Sequence, residues 1–151
     1  MKNENKYETL RLCNQLCFPL YACSKEIIRR YKPILDKFDL TYTQYITMMA
    51  MWEHNNIGVK ELGQYVFLDS GTLTPVLKKL ESKGYIKRER SKDDERALVI
   101  SLTDEGRKLE EKALIIPQEI QTCMPLTQDE AKTLYCDLSE SERCCQGIFR
   151  R

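Results

Sequence analysis

The sequence has little of what most active sites and membrane anchors are made from. It contains a single histidine, His54, in 151 residues, so a Ser-His-Asp or Cys-His catalytic arrangement would depend on that one residue. Its longest uncharged stretches, residues 12–24 and 40–52, include polar side chains and are shorter than the roughly 20 apolar residues of a membrane-spanning helix. The first dozen residues lack the apolar core of a secretory signal. These absences argue against a hydrolase and a membrane protein, and we expect a cytoplasmic protein.

Cysteine spacing and net charge exclude further classes. The seven cysteines are an odd number, and no two of them form a CxxC pair, so neither a closed disulfide framework nor a zinc ribbon fits the chain. We therefore expect no metal and no cofactor. The 24 Lys and Arg residues nearly balance 23 Asp and Glu residues. Residues 76–92, however, carry seven Lys or Arg against two Glu, and 7 minus 2 leaves +5 in one short segment.

Helical periodicity organises the N-terminal part of the chain. Apolar or small residues recur at a 3-4-3-4 spacing from Leu10 to Tyr31, which predicts one face of a long first helix. Lys32-Pro33 should interrupt that helix, because proline disfavours a helical residue before it, and a short helix over residues 33–38 should follow. Residues 41–53 predict a second, largely buried helix.

The centre of the chain has a different pattern. It predicts two short helices over residues 59–66 and 69–83, followed by two short strands over residues 86–90 and 98–102. A helix, tight turn, helix and charged hairpin make up a winged helix-turn-helix, which places its second helix in the DNA major groove. The alternative is a solvated helix face followed by a charged turn. We favour DNA binding over residues 55–103, because the +5 segment coincides with the second helix and the hairpin.

Two more helices are predicted at the C-terminal end. The first covers residues 103–123 with a kink at Pro117, and the last begins with the capping box Thr127-Gln128-Asp129-Glu130. The terminal helices carry apolar seams that close either on a second copy or on each other within one chain, and the spacing leaves both open. The predicted fold is mainly α with a small β-wing, a single domain over residues 1–151. Residues 8–38 and 104–149 supply its predicted dimerisation helices.

Several short segments then resemble a known family. Residues 68–75, with the sequence Leu-Asp-Ser-Gly-Thr-Leu-Thr-Pro, and residues 94–96, Asp-Glu-Arg, resemble the recognition helix and wing of the MarR family of bacterial regulators. Asn-Gln-Leu-Cys-Phe at 14–18, Tyr-Lys-Pro at 31–33 and Leu-Thr-Tyr at 40–42 are similar to the OhrR branch of thiol-based peroxide sensors.

The resemblance implies a homodimeric repressor that is not an enzyme. Such a protein binds a pseudo-palindromic operator in double-stranded DNA when reduced and releases it when Cys17 is oxidised by an organic hydroperoxide. By motif, the hydroxyl groups that support the Cys17 thiolate belong to Tyr31 and Tyr42 of one subunit and to Tyr21 of the other. The predicted DNA-binding residues are Asp69, Ser70, Gly71, Thr72, Thr74, Lys78, Lys79, Arg88, Arg90, Lys92, Asp94 and Arg96, with Arg96 reaching a minor groove.

Other interpretations stay open beside this one. Cys17 would otherwise be a small core residue, since free cysteine is commonly buried and inert. Cys123 is either a resolving partner for the Cys17 sulfenic acid or a structural thiol, and a small cellular thiol would resolve Cys17 in the second case. A phenolic or carboxylate ligand bound between the dimerisation helices and the DNA-binding lobe would make a different kind of regulator. A thiol peroxidase is the alternative from another class.

One residue departs from the pattern of the OhrR branch. Pro19 follows Cys17 by two residues, where these sensors usually carry an aliphatic side chain. We expect it to remove a helical hydrogen bond and to bend the first helix near the sulfur. The remaining cysteines, Cys13, Cys23, Cys136, Cys144 and Cys145, are expected to be ordinary free thiols.

Overall fold

The computed structural model of the chain describes residues 7–90, 98–122 and 126–149, with side chains as far as residue 141. The chain divides into two compact units, Met1–Ile120 and Gln121–Arg151. The single domain over residues 1–151 stays a prediction. Four of the predicted site residues lie outside the described residues: Lys92, Asp94, Arg96 and Cys123.

The N-terminal segment of the first unit is only partly helical. Two short 3₁₀ turns, Glu8–Leu10 and Leu12–Asn14, precede helix α1, Cys17–Leu35, so the prediction of a helix from Leu10 is wrong. The side-chain amide of Asn14 donates to the Glu8 carbonyl at 2.7 Å, and Gln15 donates to the Thr9 carbonyl. Side-chain bonds of this kind offer the backbone an alternative to the helical ladder.

Neither proline of α1 acts as predicted. The helix continues through Pro33 to Leu35, and a 3₁₀ turn follows over Asp36–Phe38. An interior proline costs roughly 3 kcal/mol, but Ile34 and Leu35 are buried beside it, and burying such a side chain contributes about 1.5–3 kcal/mol. Pro19 is the third residue of α1, where the N–H has no acceptor within the helix. The predicted loss of a hydrogen bond near Cys17 is therefore also wrong.

Helix α2, Tyr42–His54, matches the prediction and forms much of the core. Its N-cap Thr41 and Gln44 form a reciprocal capping box, which satisfies two of the N–H groups that every helix leaves free at its start. Met48 and Met51 are fully buried. The helix ends at Asn55, which has a positive φ of 56°, a conformation that asparagine adopts more readily than most residues.

The predicted winged helix-turn-helix is confirmed. Helix α3 is Val59–Tyr65 and helix α4, the recognition helix, is Ser70–Ser82. A third, unpredicted strand, β1 (Asn56–Gly58), pairs antiparallel with β3 (Leu98–Leu102), which also pairs with β2 (Ile86–Arg90), giving the order β1-β3-β2. Three residues are too few for alternation to reveal β1 in the sequence.

The helix after the wing breaks before its proline. Helix α5 is Asp104–Ala113 and helix α6 is Ile115–Gln121, so the single helix kinked at Pro117 is corrected to two helices. The cause is that a proline ring clashes with the carbonyl four residues before it, which is that of Ala113. In the second unit, α7 is Gln128–Phe149, and its predicted capping box is confirmed. Within the described residues, no helix is long and apolar enough to cross a membrane.

Candidate DNA-binding face and redox site

The recognition helix begins with a strongly capped turn. Asp69 is the N-cap of α4 and accepts 2.9 Å hydrogen bonds from both the backbone N–H and the hydroxyl of Thr72. These bonds lower the pKa of Asp69, and the bond from the backbone N–H has the larger effect. The carboxylate therefore stays charged at neutral pH. A Cβ at Gly71 would lie 2.9 Å from the Asp69 carboxylate, so glycine leaves room for this cap.

The remaining residues of α4 separate into a buried and an exposed face. Leu73, Val76, Leu77 and Leu80 are buried, and each contributes about 1.5–3 kcal/mol. The opposite face therefore has to point to solvent. It carries small polar residues in the first turns and two lysines after them: Ser70, Gly71, Thr72, Thr74, Lys78 and Lys79, all exposed. This order suits a helix whose first turns approach base edges and whose lysines meet phosphates.

Two cations of the +5 segment, residues 76–92, have an acidic partner within the protein. Arg88 on β2 donates its Nε to Glu81 of α4 at 2.8 Å, and this hydrogen bond lowers the pKa of Glu81. Arg88 therefore holds the wing against the recognition helix. Lys83 likewise pairs with Asp39 at 2.9 Å. Sequence reasoning missed both acidic partners, because no spacing rule joins a helix to a following strand or to a residue 44 positions away.

Four other cations have no such partner. Within residues 7–90, 98–122 and 126–149, no ion pair engages the exposed residues Lys78, Lys79, Lys87 and Arg90. Since phosphate neutralisation releases condensed counterions from DNA, cations of α4 and of the wing strand that have no ion pair are available to phosphates without the loss of a contact within the protein.

The predicted sensing thiol is accessible rather than buried in a seam. Cys17 is exposed and is the first residue of α1, so the core interpretation of this cysteine does not hold within one chain. Tyr21 lies one turn further along α1 and is 61% exposed.

Tyr31 and Tyr42 form a separate aromatic cluster. Their ring centroids are 5.1 Å apart, and Tyr31 also contacts Tyr45, with centroids 6.0 Å apart. Burial raises the pKa of both the Tyr31 and the Tyr42 hydroxyl, so both remain proton donors at neutral pH. Neither hydroxyl has a hydrogen-bond partner in the part of this chain that the structure describes.

The structure does not bring Cys17 to this cluster within one chain. Cys17 and Tyr31 lie on the same helix, 14 residues apart, and at 1.5 Å per residue their Cα atoms are separated by about 21 Å along the axis. A hydrogen bond from the Tyr31 or Tyr42 hydroxyl to the Cys17 sulfur therefore requires the tyrosines of a second copy.

A metal cluster and a pocket for a non-covalent ligand are two other kinds of site that a protein of this fold could carry. No group of three or more His, Cys, Asp or Glu side chains able to hold a metal ion occurs among the described residues. A cleft of about 280 Å³ lies between α2 and the end of α3. None of the residues that line the cleft belongs to the predicted dimerisation helices, so this cleft is not the ligand site that the alternative regulator would need. The cleft is lined by Ile46, Met49, Ala50, Glu53, Tyr65, Val66 and Phe67.

Known proteins share both the sequence and this geometry. Residues 29–113 match the family model for the transcriptional regulator SarA/Rot. The chain is 48% identical to the organic hydroperoxide resistance transcriptional regulator of Bacillus subtilis (strain 168), over 87% of this chain and 89% of the relative.

Solved structures of AbfR, a protein of Staphylococcus epidermidis, are similar over almost the whole chain. Reduced AbfR bound to DNA superposes with a TM-score of 0.80 at 36% identity, covering 95% of this chain and 99% of that protein. The disulfide form of AbfR superposes with a TM-score of 0.65 at 36% identity, covering 93% and 96%.

Proposed function

Because the chain belongs to the SarA/Rot family of MarR-like winged-helix transcriptional regulators, we propose that it is a repressor controlled by the oxidation of Cys17. The reduced protein binds operator DNA as a homodimer, and an organic hydroperoxide causes its release. The B. subtilis relative is named for organic hydroperoxide resistance, and AbfR has structures in a DNA-bound reduced form and in a disulfide form.

The observation that carries this proposal is the placement of Cys17. Its side chain is exposed at the first residue of α1, where a peroxide can reach the sulfur. The thiolate attacks one peroxide oxygen, the O–O bond breaks, and the leaving alkoxide takes up a proton to become an alcohol. Cys17 is thereby oxidised to a sulfenic acid, and the hydroperoxide is reduced to an alcohol.

A homodimer completes the sensing site. Tyr31 lies too far along α1 for its hydroxyl to reach Cys17 of its own chain, and the Tyr42 ring at the start of α2 packs against Tyr31. Tyr21, in contrast, is one turn from Cys17. Exposed apolar side chains near the start of α1, among them Leu16 at 78% and Phe18 at 42%, supply a surface that a second copy would cover. The sensing pocket is therefore proposed to combine Cys17 and Tyr21 of one subunit with Tyr31 and Tyr42 of its partner.

DNA binding is assigned to the exposed face of α4 and to the wing. Ser70, Gly71, Thr72 and Thr74 approach the major groove, with Asp69 fixing their turn, and Lys78 and Lys79 meet phosphates. On the wing, Arg90 of the strand and Lys92 bind the backbone, while Asp94 orients Arg96 in the minor groove. Arg88 takes part through its bond to Glu81, which fixes the wing against the helix.

The test compares two cysteines of one helix. Cys17 and Cys23 are both exposed residues of α1, so Cys23→Ser is a matched control for Cys17→Ser. Mobility shift on the promoter of the protein's own gene, with and without cumene hydroperoxide, measures the response. We expect Cys17→Ser to bind DNA as the parent does and to keep it in peroxide, while Cys23→Ser releases it. Release by Cys17→Ser would refute the assignment of the sensor.

The same oxidised samples decide the role of Cys123. If Cys123 resolves the sulfenic acid, a disulfide forms with loss of water, and a dimer crosslinked through Cys17 and Cys123 runs on a non-reducing gel. The crosslink then disappears in both Cys17→Ser and Cys123→Ser. If a monomeric band remains and the response depends on an added small thiol, Cys123 is a structural residue.

A further inference from the structure

Lys83, at the end of the recognition helix, is held by three acceptors from another part of the fold. Its ammonium group contacts the Asp39 carboxylate at 2.9 Å, the Asp39 backbone carbonyl, and the side-chain oxygen of Gln44 at 3.5 Å. Only 23% of the Lys83 side chain is exposed, and Gln44 is buried. Lys83 therefore differs from Lys78 and Lys79 of the same helix, which point to solvent.

Asp39 is in turn fixed by its backbone. It has a φ of 52° and a ψ of 44°, the left-handed conformation that Asp and Asn adopt more readily than other non-glycine residues. It ends the turn Asp36–Phe38 that joins α1 to α2. On the other side of that turn, Lys37 pairs with Glu119 of α6 at 2.8 Å. The α1–α2 junction, residues 36–39, thus contacts α6 through one ion pair and α4 through the other.

We propose that Lys83 is a positioning residue for DNA recognition, which fixes the end of α4 to the α1–α2 junction and transmits movement of α1 to α4. This inference rests on the proposed function, because the movement of α1 that is transmitted to α4 is taken to begin with the oxidation of Cys17. The pair formed by Lys83 and Asp39, with Gln44 beside it, is called the clamp below.

The clamp is better suited to orientation than to stability. The Asp39 side chain is 90% exposed, and ion pairs with an exposed partner contribute little to folding. Its three convergent acceptors nevertheless restrict where the end of α4 can lie. A recognition helix has to fit the major groove in both half-sites of an operator, so a shift of the end of α4 should weaken DNA binding.

The first test uses the sign of the charge change. Asp39→Asn keeps a residue that tolerates the left-handed backbone but removes a negative charge, so electrostatics alone would tighten DNA binding. The clamp predicts weaker binding, by about threefold for Asp39→Asn and about tenfold for Lys83→Met. Lys87→Met removes one positive charge from an exposed, unpaired residue and is the control, with an expected loss of about twofold.

Fluorescence anisotropy with labelled operator measures these affinities in the reduced protein. In the clamp, the double variant Asp39→Asn with Lys83→Met binds no more weakly than Lys83→Met alone, because both changes remove one interaction. Binding of Asp39→Asn at or above the parental affinity, or additive effects in the double variant, would overturn the proposal.

A second measurement separates this proposal from the proposed function. Peroxide should change the affinity of Lys83→Met at least threefold less than it changes that of the parent or of Lys87→Met, and an unchanged response would overturn the transmission of movement. If the parent itself ignores peroxide or fails to bind DNA, the proposed function fails. Amide hydrogen exchange of the free protein then decides the clamp: Asp39→Asn should speed exchange at the end of α4, and an unchanged rate would refute it.

Discussion

A pair of heterodimers tests whether the tyrosine hydroxyls act across the subunit interface. In the first, one subunit carries Cys17→Ser and its partner carries both Tyr31→Phe and Tyr42→Phe. In the second, all three substitutions are in one subunit and the partner is parental. Both heterodimers contain one Cys17 and one intact tyrosine pair, and they differ only in which chain carries which. In the first heterodimer, the intact tyrosines are on the subunit opposite the remaining Cys17. In the second, they are on the same subunit as that Cys17.

The separation along α1 determines the expected result. About 21 Å lies between the Cα atoms of Cys17 and Tyr31, so only the first heterodimer can place protonated hydroxyls at the sulfur. A hydrogen bond to a charged group contributes about 1.5–3 kcal/mol, and a thiolate without such bonds regains part of the loss through greater nucleophilicity. We therefore expect the first heterodimer to react with cumene hydroperoxide at the parental rate and the second about tenfold to hundredfold more slowly.

Two affinity tags allow each heterodimer to be purified, and mass spectrometry of the Cys17 peptide follows its oxidation. A homodimer with both tyrosine substitutions gives the rate without hydroxyl donors, and the second heterodimer should match it. Equal rates in the two heterodimers would show that the hydroxyls do not act on Cys17. A faster second heterodimer would refute the trans arrangement and require a different course of α1.

The remaining predictions concern stability and DNA contacts. Thr103→Val should lower the free energy of unfolding by about 2 kcal/mol relative to Thr103→Ser, because it removes the N-cap of α5 and side-chain bonds to two backbone carbonyls. Urea unfolding followed by Trp52 fluorescence measures this difference, and equal midpoints of the two variants would contradict it. Lys78→Met should reduce the slope of log affinity against log salt by about one per subunit, and an unchanged slope would remove Lys78 from the phosphate contacts. Arg96→Ala should weaken operator binding by about 1–3 kcal/mol per subunit, and parental affinity at physiological salt would refute the wing assignment.

The elements that the sequence predicted correctly are those with a local signal. Helix α2 begins with a capping box at Thr41 and Gln44, and α4 begins after the N-cap Asp69, so short-range hydrogen bonds alone specify where these helices start. Strands β2 and β3 have the predicted bounds, because β3 alternates and the intervening residues are charged.

The errors occur where distant contacts decide. The 3-4-3-4 spacing continues past the true start of α1, because side-chain bonds from Asn14 and Gln15 leave no trace in hydrophobic periodicity. From the sequence, Pro33 predicts the end of the first helix, whereas burial of the two residues after it stabilises α1 beyond the proline. The helix break near Pro117 follows from the proline rule only when the clash is placed at the carbonyl four residues before the ring, which is at the end of α5.

The candidate site shows the same division. Periodicity alone separates the exposed face of α4 from its leucines, so the exposed residues proposed to approach the major groove could be named from sequence. The +5 of residues 76–92 was a correct signal, but a sum of charges cannot separate cations that face solvent from those that hold the protein together. Asp39 and Glu81, the residues that decide this, approach Lys83 and Arg88 only in the folded chain.

Two kinds of cation therefore follow one another along the same segment. Lys78 and Lys79 face outward from the middle of α4, whereas Lys83 and Arg88 fix the end of that helix to the α1–α2 junction and to the wing strand. Loss of an outward lysine should remove one of the proposed phosphate contacts and lower the salt dependence of binding. Loss of Arg88 leaves the Glu81 carboxylate without its partner and frees the helix from the wing, so it should impair discrimination between operator and random DNA more than it changes the salt slope. The arrangement makes the orientation of the recognition helix, and not only the positive charge around it, the property on which a movement of α1 can act.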